Sequence, residues 1–524
     1  MFRRLTSSAL ALAAMTAPSF ADVTPEQVWQ SWVDYYQSVG YSVTEGSRDK
    51  AGSTLTLRDV LIAGGAEGNT MTFKVPSVAL SDQGDGKVKT VFAEEMSLDV
   101  AGRDPEGGDY AVPVKIMLPG NGIVTSGAPE DMTHEFDYPS IELVMTTMTD
   151  NGEETPLPMS FGLTKSTGML HIVTGAPNKY DYDMNSEALT FQGDVTDDEG
   201  GAVKFAGSLN GLNMKGGMDA PGEFKDLDEQ MDAALKAGLS MNGALDADSV
   251  NATFDYEGVD EEGQPSQGAG KYLGQGIKAN FSLSKDGMGY KLSSDAVDFE
   301  LTSPQIPFPV SYGIENAGVE MQLPVSQSDE AQPFKFTYLL NGVTMSDDLW
   351  SMFDPTAKLP RDPASLELDL SGLMKVTRDV FAMPETLADD ADASADDAQE
   401  RAEPDAMTDE MAAEETTGFE PVEMNINKLA LNLLGANLLA TGELKATEEG
   451  IGAPIGHIHA EYEGLNALLD TLGSIGLIPQ EQMMGARMML AMFAKPVEGS
   501  PDKMATDLEL KEGGSIFANG QQIK

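Results

Sequence analysis

The sequence predicts an α+β protein that is mainly β: long curved antiparallel sheets, a few packed helices and one acidic disordered insertion. Three observations carry this prediction. Apolar residues alternate with polar ones in run after run, Gly-, Asp- and Asn-rich clusters separate the runs, and only a few segments show helical spacing.

The first 21 residues read as a secretory signal peptide. Arg3 and Arg4 precede a short apolar run from Leu5 to Met15, and Ser19-Phe20-Ala21 places small residues where a signal peptidase grips, so cleavage is expected after Ala21. The run is shorter than the roughly 20 residues of a membrane span. Asp22 follows rather than cysteine, which excludes a lipid-anchored lipoprotein. The densest later apolar stretch, Met483 to Ala494, is short and interrupted by Arg487, so no transmembrane segment is expected. These features predict a soluble protein, periplasmic or secreted.

The chain contains no cysteine among 524 residues, which removes thiol catalysis, redox exchange and thiolate metal sites. Its formal net charge of −52 becomes −54 once Arg3 and Arg4 are cleaved off. Such a chain repels nucleic acid and anionic headgroups at long range and attracts cations and basic partners weakly. Solubility alone is the simpler use of the charge.

An N-terminal helix is expected within residues 22–45. Thr24-Pro25-Glu26-Gln27 is a capping box with proline at the first helical position; Val28, Trp29, Trp32, Tyr36 and Val39 follow at helical spacing, and Gly40 stops the run. Residues 46–220 then read as a β-rich region, with alternation at Leu55, Leu57 and Leu61, at Met71, Phe73 and Val75, from Tyr110 to Leu118, and at Tyr180, Tyr182 and Met184. Residues 221–384 continue it with short helices. Their strands include Val250 to Tyr256, Ile277 to Leu283 and Phe334 to Leu340, and helices are expected at Phe224 to Leu235, Asp347 to Phe353 and Met374 to Phe381. Residues 385–421 form an acidic linker or loop too poor in apolar side chains to order itself. An α+β region, 422–524, closes the chain with helices at Leu465 to Ile475 and Gln480 to Phe493. An apolar–polar–Gly–aliphatic device ends several strands, as in Leu209-Asn210-Gly211-Leu212, Tyr256-Glu257-Gly258-Val259, Leu340-Asn341-Gly342-Val343, Leu370-Ser371-Gly372-Leu373 and Tyr462-Glu463-Gly464-Leu465. Its irregular spacing excludes a fixed-period solenoid.

Candidate chemistry is sparse. Of the four histidines, His134 and His171 stand apart, while His457 and His459 share a strand face at a spacing able to hold a metal with Glu461; the plain alternative is an exposed strand face. Asp181, Asp183 and Asn185 alternate like a calcium loop, but Ser186 and Gln192 stand where that loop needs glycine and glutamate. Asp197, Asp198 and Glu199 beside Gly200 make a better loop for weak cation binding. Ser282-Leu283-Ser284-Lys285 lies on an alternating strand rather than at a helix start, and Tyr272 after Gly270-Lys271 breaks a phosphate loop. The thioethers of Met483, Met484, Met488, Met489 and Met492, with Phe493, wrap one short helix. They suit core packing or an adaptable surface for a lipid or partner.

The segments Gly342 to Pro355, Leu359-Pro360-Arg361-Asp362-Pro363 and Leu366 to Gly372 carry a family resemblance. So do Ile426 to Gly435, Ala440-Thr441-Gly442, Gly464 to Pro479, Phe493-Ala494-Lys495-Pro496 and Asn519-Gly520-Gln521. Together they resemble the domain-of-unknown-function 2125 family of exported alphaproteobacterial proteins, more faintly over most of the mature chain. The resemblance implies no activity and no catalytic residues. By architectural analogy alone, the glycine-broken strands resemble AsmA-like envelope proteins, whose curved sheets form an apolar trough. The sequence therefore predicts a non-enzymatic exported protein without cofactors that binds an apolar ligand, a lipid or another envelope component between sheet and helices. The alternatives are an acidic scaffold recruiting a basic partner and a hydrolase with an unfamiliar carboxylate site.

Overall fold

The computed structural model describes residues 22–38, 40–65, 68–103, 108–196, 200–222, 227–259, 263–382, 418–447 and 450–524. The signal segment, Val39, the Asp197–Glu199 triplet and nearly all of the acidic linker lie outside them.

Five helices are present among the described residues: α1 (Pro25–Ser38), α2 (Leu227–Lys236), α3 (Asp347–Ser351), α4 (Leu465–Ser474) and α5 (Gln480–Phe493). The capping box forms as read: the Thr24 amide donates to Gln27 Oε1 at 2.9 Å, and the Gln27 amide donates to Thr24 Oγ1 at 3.3 Å. Gly40, at φ +87°, ends the helix, as only glycine readily can.

The helix expected at Met374 to Phe381 is not there. Strand Ala364–Val376 continues through Met374, whose neighbours Lys375 and Val376 pair with Glu420 and Phe419. The chain then turns, and the Val380 amide donates to the Val325 carbonyl. Pairing partners far away in sequence override the local helical spacing.

Strand makes up 67% of the described residues and helix 12%, so one sheet decides the architecture. Every strand pairs antiparallel with its neighbours, from Ser42–Thr44 to Gln521–Gln522, and sequential strands almost always lie side by side. One departure from this meander occurs twice. Beside Thr70–Asp82, two short strands lie end to end: Val88–Phe92 along its C-terminal half and Glu95–Arg103 along its N-terminal half. A second such pair, Asp109–Met117 and Ile123–Ala128, follows, and Asp131–Asp150 spans both. The same split recurs with Pro265–Ser284, then Gly287–Ser294 and Ala296–Thr302, then Val310–Ile314 and Asn316–Leu323, then Ser328–Met345. A helix, α1 or α2, precedes each module.

A line of irregular residues crosses the long strands. Lys165, Gly211, Gly276 and Gly342 adopt φ of +48°, +62°, +59° and +69°. The adjacent strands or strand junctions place Glu187, Asp248, Asp295 and Glu315 beside them. A Cβ at Gly211 would overlap the Asp248 carboxylate, one at Gly276 that of Asp295, and one at Gly342 the Glu315 side chain. Each strand carries one extra residue here, so inward-facing positions switch between even and odd numbers without changing face. In strand Asn178–Thr196 the inward set is Tyr180, Tyr182 and Met184 before the line, and Leu189 and Phe191 beyond it.

The first core lies under α1 and buries Val28, Trp29, Leu55, Leu57, Val60, Val78, Leu80 and Val88. Here the alternation read as Leu55, Leu57, Leu61 is corrected to Leu55, Leu57, Val60. Asp59 has φ +51° and inserts the same kind of bulge, turning Leu61 away. The second core sits under α2, where Leu235, Leu239, Leu283 and Val325 meet Met218, Met241, Met288 and Phe381. Lys236 Nζ bonds Asp379 Oδ2, and the Gln327 amide bonds Asp379 Oδ1 at 2.8 Å, so the turn after Val376 is tied over this core.

Gly211→Ala is expected to destabilise the protein by about 1–3 kcal/mol through its left-handed backbone and the clash with Asp248. Adding Asp248→Ala should recover only the clash part. Denaturant unfolding of both variants measures this, and an unaltered midpoint for Gly211→Ala would exclude the bulge from the stability of the sheet.

Candidate apolar binding face

Cross-strand partners share a face, so the register can be followed across the sheet. From His134 the pairing passes to Leu170, Tyr182, Gly216, Gly243, Phe281, Tyr290, Met321 and Phe336. It continues through Leu370, Ile426, Gly442, Ile458 and Leu508 to Ala518. After His134 every member is apolar or glycine. At about 4.8 Å per strand this single row is about 65 Å long.

The neighbouring rows are alike. One runs through Phe136, Met184, Leu245, Leu292 and Tyr338; beyond the bulge line another runs through Phe191, Tyr272, Phe299, Tyr312 and Met345. Phe299 stacks on Tyr312 with centroids 5.1 Å apart and lies 6.5 Å from Phe254. Helices cover parts of this face: α1 at the first end, α2 over the row of Met218, Met241 and Met288, and α4 beside the strand Ala436–Thr447. Between them no described residue covers it. Tyr182 is 38% exposed, Phe281 42%, Tyr290 39% and Leu292 38%. The open region spans about seven strands and six rows, on the order of 1,000 Å². Soluble monomers usually leave contiguous apolar patches of about 300–600 Å² at most.

The opposite face is polar and carries most of the residues singled out for chemistry. Asp181, Asp183 and Asn185 lie there along one strand, with the Asn213 amide bonded to Asn185 Oδ1 at 2.9 Å, so they form no calcium loop. His457 and His459 lie there too. His459 Nδ1 is 2.6 Å from Asp507 Oδ1, and its Nε2 is 3.8 Å from Glu461 Oε1, which shares its carboxylate with Lys503. The Asp507 hydrogen bond raises the His459 pKa. Among the described residues no group of three or more His, Asp or Glu is placed to hold a metal ion. Asp197, Asp198 and Glu199 lie outside the described residues. Ser282 stands within the strand Pro265–Ser284, at no helix start.

The methionines of α5 divide. Met483 packs its Sδ against Gly473, and Phe493 is half-buried. Met484, Met488, Met489 and Met492 are 50–68% exposed, which overturns core packing for these four. Arg487 pairs with Asp470 and joins α5 to α4.

A cavity of about 450 Å³ opens between α1 and the sheet at the start of the apolar row, lined by Asp34, Tyr35, Met132, His134, Ile172 and Tyr180 among others. His134 is 4% exposed. Thr125 Oγ1 meets its Nδ1 at 2.8 Å, Trp32 lies 6.0 Å away, and among the described residues its Nε2 has no partner. Burial lowers the His134 pKa to about 4. The sequence held a signal for this residue, because Met132, His134 and Phe136 alternate onto the apolar face.

Residues 275–517 match the family model DUF2125, described as an uncharacterized protein conserved in bacteria. No curated protein and no solved structure matches the chain.

His134 takes up its proton more readily unfolded, near pH 6.5, than folded, near pH 4. Stability is therefore lost as pH falls from about 6.5 towards 4, by ~2 kcal/mol from this group at about pH 5. His134→Gln should shrink the difference in unfolding free energy between pH 7 and pH 5 by about that amount. Denaturant titrations at both pH values check it, and an undiminished difference would refute the assignment.

Proposed function

The chain belongs to the domain-of-unknown-function 2125 family through residues 275–517, and from that premise we propose that it is a non-enzymatic binding protein for acyl-chain ligands. It works outside the cytoplasm after cleavage behind Ala21, and its ligand lies on the open apolar face between α1, α2 and α4. One observation carries this reading: large side chains of one continuous apolar face, Tyr182, Phe281, Tyr290 and Leu292, remain more than a third exposed. Burying a side chain of this size against hydrocarbon contributes about 1.5–3 kcal/mol. A few such contacts suffice for micromolar binding after the cost of association. The exposed methionines of α5 suit an adaptable contact with ligand or membrane at the far end of the sheet.

Native mass spectrometry of protein purified from its own extracytoplasmic fraction is expected to find lipid bound, and N-terminal sequencing to find Asp22 first. The double variant Phe281→Ser, Tyr290→Ser should weaken binding of a fluorescent fatty-acid probe by at least about 10-fold while shifting the melting temperature by no more than about 4 °C. Probe affinity equal to that of the unaltered protein would count against the face.

A further inference from the structure

The cavity beneath α1 differs from the rest of the apolar face. Its floor is Met132, His134, Ile172 and Tyr180, on the inward side of three adjacent strands. Its roof is α1, which contributes Asp34 and Tyr35. The rim adds Glu130, and among the described residues no lysine or arginine lines the cavity. Tyr35 and Tyr180 meet edge to face with centroids 5.9 Å apart, so aromatic π-systems stand beside two carboxylates. Nearby basic groups are committed elsewhere: Lys50 pairs with Glu26 at 2.6 Å and Arg48 with Glu45 at 2.5 Å.

Carboxylates together with aromatic faces attract organic cations. The volume, about 450 Å³, fits a polar head but not a whole lipid. His134 sits on the floor, almost wholly buried, with Nε2 unpartnered, so one polar group of the cavity lacks the hydrogen bond that burial ordinarily demands. The next residues of its row, Leu170 and Tyr182, lead directly onto the open face.

Resting on the acyl-chain reading above, we propose that this cavity is a headgroup site for an amine-bearing amphiphile. Its ammonium lies among Asp34, Glu130, Tyr35 and Tyr180, and its hydrocarbon tail follows the row from Leu170 towards Phe281. Neutral His134 forms part of the floor without opposing the charge of the head. The Thr125 hydroxyl serves either imidazole tautomer. The acidic surface draws cations from solution, and the cavity decides which cation stays.

The test uses the full processed chain at about 0.15 M salt, where long-range attraction is largely screened. Dodecyltrimethylammonium, dodecyl maltoside and dodecyl sulfate are each titrated below their micelle concentrations. Intrinsic fluorescence is the readout, since Trp29 and Trp32 are two of only three tryptophans. The ammonium probe should bind about 5- to 25-fold more tightly than the maltoside, as two partly exposed carboxylates can supply. Asp34→Asn with Glu130→Gln should remove that preference and leave maltoside affinity unchanged. Equal binding of the ammonium and maltoside probes, or a preference that survives the double variant, would overturn the headgroup site and leave the apolar-face reading standing. Failure of all three probes to bind would overturn both.

Discussion

Everything else in this molecule depends on one constraint: an alternating strand that bends must keep its apolar side chains on one side of the bend. Strands here reach 20 and 21 residues, long enough for twist to accumulate. A single inserted residue in one strand alone would turn half of that strand inside out, because the side-chain period is two. The sheet meets this by placing the insertion at one register in successive strands. Lys165, Gly211, Gly276 and Gly342 take the left-handed backbone, and at the three glycines an acidic residue occupies the space that a Cβ would have claimed. Where short strands replace a long one, Asp295 and Glu315 stand at the gap between them. The apolar face therefore crosses the line unbroken.

The charge follows from the same geometry. The inward rows hold almost no acidic or basic group apart from His134, so the acidic residues concentrate on the outward face and in loops. Outward pairs such as Lys74–Asp99 and Lys165–Glu187 are exposed and contribute little stability each. Their excess negative charge opposes stacking of one sheet upon another, a real hazard for a protein with a wide apolar face. Net charge here opposes self-association without filling the apolar face.

Much of this was legible in the sequence, and what was not has identifiable causes. The strands around Tyr182, Val250, Phe281 and Phe336 were plain from alternation, and all five helices from capping and spacing. Thr24 and Gln27 formed the expected box. The end of the Leu55 run was misread because Asp59 changes parity, and nothing local marks an aspartate as left-handed. The stretch after Met374 was misread because its partners, Phe419 and Glu420, stand at the far end of the segment read as the acidic linker, where a strand begins instead. The glycine device looked like one motif but serves different ends. Gly211 and Gly342 are bulges, whereas Gly464 caps α4 in a left-handed conformation. The duplicated split-strand module was invisible because it is a repeat of pairing, not of residues. His134 was readable as inward-facing but not as orphaned, since its neighbours Trp32 and Thr125 arrive from other elements.

The open face is itself an energetic statement. About 1,000 Å² at about 25 cal/mol per Å² corresponds to roughly 25 kcal/mol of burial that the folded chain forgoes. Whole domains are stable by only about 5–15 kcal/mol. A third helix laid across Phe281 and Tyr290, like α1 over Leu57 and α2 over Leu283, would recover much of it. The chain builds such helices at both ends of the face and along one margin, yet leaves the middle to aromatic and aliphatic side chains in contact with water. Polar substitutions there would relieve the exposure at small cost, because these positions are more than a third accessible. Neither remedy is present. A face kept apolar over so many strands, in a chain otherwise so heavily charged, is the feature on which the proposed acyl-chain binding rests.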